Sequence, residues 1–189
     1  MTQSLSSPAP RKVIHTRRIQ CQGFRREDGL WDIEAQLIDT KTYPFPKREL
    51  GTWLPPGEAV HEMEIRATVD DSMTIQKIEA RTVNSPFGLC VEVADGLACL
   101  EGVSLGAGFM RVVQERLGHN RGCVHLVGML AQLAATAHQT IPTLLRLERP
   151  PSVETPWFID TCKVMAADSP VVRQIWPQYT ASGTHRDDD

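Results

Sequence analysis

The sequence lacks an excess of positive charge: 20 lysines and arginines stand against 23 aspartates and glutamates, a formal net charge of −3. A strongly basic nucleic-acid module is thereby excluded, since phosphate binding needs a concentrated positive field. It lacks any apolar run near the ~20 residues that span a bilayer, so no membrane helix is expected. Its opening stretch, MTQSLSSPAPRK, has no apolar h-region, so no secretory signal is expected and the chain reads as cytoplasmic. It lacks CxxC pairs and internal repeats. In a reducing compartment its five cysteines are not a disulfide framework. They are buried thiols, metal ligands or nucleophiles. What is present, 189 residues of which 41% are hydrophobic, suffices for one domain with a sizeable core.

Residues 1–12 are Ser/Pro-rich and expected to be disordered. From His15 to Tyr43 the pattern is that of a β-hairpin. Trp31, Ile33, Ala35 and Leu37 alternate with Asp32, Glu34 and Gln36, and Glu27-Asp28-Gly29 supplies the turn. Residues 43–58, with four prolines, read as a loop. A second hairpin follows, with Met63, Ile65, Ala67 and Val69 on one face, a turn at Asp70-Asp71-Ser72, and a broken parity between Ile75 and Ile78 that predicts a bulge. Three helical segments come next, at about 89–101, about 106–117, and from Cys123 onward. The whole is an α+β domain over residues 13–145: an antiparallel sheet of two hairpins followed by three helices packed on one face. Residues 146–182 read as a Pro-rich extension packed on the domain, with a short helix near 168–176, and residues 183–189 as an acidic tail.

Chemistry-bearing residues fall at element boundaries. His61 opens the third strand with the parity of Met63, and so faces the helix-covered side. Cys90 opens the first helix, and Cys123-Val124-His125 the third. A thiol at a helix N-terminus is favoured as thiolate, the form that binds zinc or attacks an electrophile. The bland alternatives are a small buried hydrophobe for Cys90 and hydrogen-bonded structural imidazoles for His61 and His125. Asp28, beside Arg25 at the first turn, and Lys41 at the far end of that hairpin read as a solvated turn and strand end. Their sharper reading is a substrate or acid–base role, with an anionic substrate held by Arg25 and Lys41.

The stretches RREDGLWDIEAQLIDTK, VHEMEIRATVDD, EARTVNSPFGLC and GCVHL resemble an uncharacterised bacterial family of unknown function over about residues 14–140. Such a resemblance implies a setting among catabolic genes for aromatic or acyl compounds. More distantly, the order of elements from 60 to 138 is similar to NifU-type iron–sulfur scaffolds and the related zinc-binding sulfur-transfer proteins. That likeness implies that their first cysteine falls on His61, its following aspartate on Met63, the second cysteine on Cys90, and the third with its histidine on Cys123 and His125. All would converge on one metal. A histidine in place of the first cysteine, and no aspartate, suit zinc or a single iron better than a cluster.

Three functions are therefore expected in order. The first is a metal-dependent enzyme, a hydrolase or lyase, with zinc or iron held by His61, Cys90, Cys123 and His125. The second is an accessory protein that passes a cluster or sulfur to a partner protein. The third is a metal-free enzyme with Cys123 as nucleophile beside His125. Exposed sheet edges make a homodimer a natural expectation.

Overall fold

Alternation decides the sheet. Residues that alternate apolar and polar become strands with one dry face, and six strands form: β1 (His15–Arg25), β2 (Trp31–Lys41), β3 (Phe45–Lys47), β4 (Thr52–Leu54), β5 (Ala59–Val69) and β6 (Ile75–Asn84). This computed structural model describes residues 5–148 and 158–180, and the chain divides into two compact units, residues 1–148 and 149–189. In the first unit β1, β2, β5 and β6 form one antiparallel sheet in that order. The α+β class, with helices packed on one face of an antiparallel sheet, is the observed architecture. Trp31, Ile33, Ala35 and Leu37 of β2 and Met63, Ile65, Ala67 and Val69 of β5 are all buried on the helix side.

Two bulges matter. Val69 pairs with Ile75 and Thr68 with Lys77, which leaves Gln76 as the extra residue and accounts for the broken parity there. A second lies between β2 and β5: Asp39 faces His61, but Thr40 faces Ala59, so Val60 is extra. Bulges re-aim side chains and often sit beside functional sites.

The segment expected to be a loop differs. Despite its prolines, it contains the small hairpin β3–β4, with Phe45 opposite Leu54. Two-stranded edges tolerate Pro46 because a proline there gives up no interior ladder bond. After β6 come helix α1 (Leu89–Glu92), a 3₁₀ helix (Val93–Leu100), α2 (Phe109–Leu117) and α3 (Val124–Glu148). The first expected helix is thus a single α-turn running into 3₁₀ geometry. The third is longer than its pattern suggests and passes through Pro142. Buried Ile141 and Leu145 on either side of the proline hold its last turns on the core, which offsets the lost backbone bond.

Helix α3 runs along β1. His125 meets Arg17 near its start, and Glu148 meets Arg25 at its end. Between them it passes directly over Gly23. A Cβ there would come within 2.2 Å of Thr140 Oγ1 and 2.8 Å of its Cβ. Gly23→Ala is therefore expected to destabilise the fold by about 1–3 kcal/mol through overpacking, with part regained in the Gly23→Ala/Thr140→Ala double variant. Urea unfolding of the variants checks this.

In the second unit, helix α4 (Pro170–Ile175) forms where a short helix is expected. The Ser169 hydroxyl caps it by accepting from the Val172 N–H at 3.1 Å, and Pro170 occupies a first-turn position that needs no donor. The acidic tail read from the sequence lies outside the described residues.

Candidate functional site

The inner face of β2 is apolar until its last positions. Trp31, Ile33, Ala35 and Leu37 are followed, at the same parity, by Asp39, and its side chain is only 3% exposed. An isolated carboxylate so placed would cost several kcal/mol. It is not isolated. Arg17 of β1, its register partner, donates from Nε to Oδ1 at 2.8 Å and from Nη2 to Oδ2 at 2.6 Å. His15 Nε2 lies 3.0 Å from Oδ1, and His61 Nδ1 lies 3.2 Å from Oδ2. Against the cost of burial, Arg17 and His15 hold the Asp39 carboxyl far below the ordinary carboxylate range.

His125, in the first turn of α3, completes the group. Its ring centroid is 4.1 Å from that of His61, and its Nδ1 is 2.9 Å from Arg17 Nη2. The donors fix the tautomers. His61 donates from Nδ1 to the carboxylate, which leaves Nε2 as a lone pair. His125 accepts from the guanidinium at Nδ1, so its proton is on Nε2. Burial lowers both imidazole pKa values. Arg17 lowers both further, while Asp39 pulls the other way. Both rings are therefore neutral near pH 7, as a metal ligand must be. One ligand atom from each of Asp39, His61 and His125 lies within 4.8 Å of the others. Two imidazoles and a carboxylate are a known donor set for zinc and for non-haem iron(II).

The residues singled out from sequence fare unequally. His61 and His125 come together, on the helix-covered face as expected. Cys90 and Cys123 lie at the same end of the sheet. The Cys90 carbonyl accepts from Thr82 Oγ1 at 3.0 Å, and Thr82 pairs with Met63, two residues from His61. Cys123 packs partly buried against the core just ahead of His125. Among the described residues, however, neither sulfur joins the close group of ligand atoms, and a carboxylate stands there instead.

Arg25 and Asp28 lie elsewhere. They occupy the opposite end of the β1–β2 hairpin, where Arg25 pairs with Trp31. From there to Asp39 is eight residues of strand, about 27 Å at ~3.4 Å per residue. Arg25 binds Glu148 at 2.6 Å and lies over the Trp31 ring, while Asp28 is held by Arg26 at 2.6 Å. Neither reaches the site. Lys41 does share its end of the sheet.

Asp39, Arg17 and His15 were not singled out from the sequence. The signal for Asp39 was present: it continues the inward parity of β2, so a charged residue there must be buried and partnered. Arg17 and His15 carry no such mark, because their role follows only from the β1–β2 register.

A family described as a protein of unknown function, DUF2889, matches residues 15–139, most of the chain. No curated protein and no solved structure matches it. Among the described residues no helix is long and apolar enough to cross a membrane.

Proposed function

The chain belongs to the DUF2889 family of proteins of unknown function, and we propose for it a metal-binding role in which His61, His125 and Asp39 hold one zinc or iron(II) ion. The observation that carries this reading is the convergence of two imidazoles and a buried carboxylate at the end of the sheet. Three protein ligands leave open positions on the ion, where it would activate water or polarise a carbonyl, the chemistry of a hydrolase or lyase acting on a small molecule. Cluster or sulfur handover, and attack by Cys123, each need a thiolate at the centre. The group that converges is nitrogen and oxygen, so the geometry favours neither.

Arg17 lends weight to a second reading. Its guanidinium already lies against Asp39 and His125, where an ion would sit. If it stays, Asp39 orients His61 as a base in a metal-free site.

Elemental analysis of untagged protein tests the first reading. One ion per chain is expected, lost in His61→Ala and His125→Ala. Because protons compete at both imidazoles, whose pKa values lie below the usual 6.5, affinity should be near its plateau at pH 7. It should then fall by up to about a hundredfold per pH unit once the pH is below both values. Metal-free protein that takes up no zinc at pH 7 would overturn this reading in favour of the second.

A further inference from the structure

We propose that this site takes a small carboxylate-bearing ligand, held by Lys41 beside the Asp39–His61–His125 group. Strand alternation places Lys41 on the same face as Asp39, one step further toward the end of the sheet. Across the ladder it faces His15, whose ring is bonded to Asp39. The Lys41 side chain is thus at the margin of the site, and the residue is half-buried.

Charge bookkeeping gives the ligand its sign. Arg17 and Asp39 neutralise one another as a close ion pair. Lys41 has no carboxylate within ion-pair distance among the described residues, whereas Arg17, across the ladder from Asp39, is paired with it. Its ammonium is therefore an unbalanced positive charge at the margin of the site. Half-buried, it is screened less than a fully solvated lysine. A carboxylate matches it with a charge-assisted hydrogen bond, and a neutral isostere does not.

In the loaded protein this rests on the metal reading, since an ion held by Asp39, His61 and His125 would supply the second contact to the ligand. An ion that displaces Arg17 also frees its planar fork, whose geometry suits a carboxylate, to join Lys41. In the metal-free protein Lys41 acts alone, so the two states separate the two claims.

The test titrates acetate, with acetamide as neutral control, into the full chain and its Lys41→Gln variant. Imidazole C–H resonances report on the metal-free protein, and the visible spectrum reports on protein loaded with cobalt(II). Acetate is expected to shift the His61 and His15 resonances, and to perturb the cobalt bands, at concentrations where acetamide does neither. Lys41→Gln should weaken the acetate effect about tenfold or more, the scale of a charged hydrogen bond, while the variant still loads one cobalt ion per chain. Equal responses to acetate and acetamide, or an unchanged acetate affinity in Lys41→Gln, would overturn the proposal. Should cobalt fail to bind at all, the metal reading falls and the metal-free titration alone decides this one.

Discussion

Asp39→Ala is expected to cost about 2–3 kcal/mol of stability and to abolish metal binding. The carboxylate is nearly inaccessible and accepts from Arg17, His15 and His61 at once, and a hydrogen bond to a charged group contributes about 1.5–3 kcal/mol. Several such bonds are lost together. The loss stays at the low end because Arg17 and His15, 41% and 38% exposed, recover water when the carboxylate is gone. The pH dependence separates this from simple loss of packing. Asp39 has a depressed carboxyl pKa in the folded chain, so its contribution is fully present above the unfolded value of about 3.9 and is lost as the pH falls toward the folded one. The wild type should lose stability to Asp39→Ala at pH 6, and the difference should shrink in acid. Urea unfolding between pH 6 and pH 3 measures it. A difference that stays constant across that range would mean that the carboxylate charge contributes nothing.

Arg17→Met should act in the opposite direction on metal affinity. The guanidinium lies 2.6 Å from Asp39 Oδ2 and 2.9 Å from His125 Nδ1, on two of the three groups that would hold the ion. A divalent ion must displace it. Two unit charges at 4 Å interact by roughly 4 kcal/mol near a protein surface, and the exposure of Arg17 reduces that further. Removing the competitor is therefore expected to raise zinc affinity about 10- to 100-fold while the metal-free protein loses stability. Competition with a chelator of known affinity provides the measurement. A lower zinc affinity in Arg17→Met would show that the guanidinium supports the site and does not block it. That result favours the metal-free reading.

Both predictions turn on residues that the linear sequence under-reports. Alternation made β2 and β5 legible, and the parity break between Ile75 and Ile78 marked a real bulge. Those patterns work because a strand with one dry face must repeat every two residues. His61 was legible for the same reason, by its parity with Met63, and His125 by its place beside Cys123 at a helix start. Asp39 obeys the same rule, but a charged residue near a strand end reads equally as solvated, and only the register with Arg17 shows that it is buried and paired. Arg25 and Asp28 lie apart from that group. They share a hairpin with Lys41, but its two ends are a full strand apart, a distance that composition does not record. The β3–β4 hairpin hid behind its prolines, and α3 beyond Pro142, because in both places tertiary contacts outweigh local preference. Cys90 and Cys123 do lie toward the His61 end of the sheet. Whether a sulfur reaches a given point depends on short segments, α1 and the loop before α3, whose paths no periodicity encodes.

Cobalt(II) titration of the metal-free chain at pH 7 tests the central claim most directly, because cobalt reports its ligands as well as its binding. The account predicts saturation at one ion per chain, with visible bands of a nitrogen- and oxygen-ligated ion and no thiolate-to-metal charge transfer, unchanged in the Cys90→Ser/Cys123→Ser variant and absent in Asp39→Ala. Strong thiolate charge transfer that disappears in the double serine variant, or no binding at all, would contradict it.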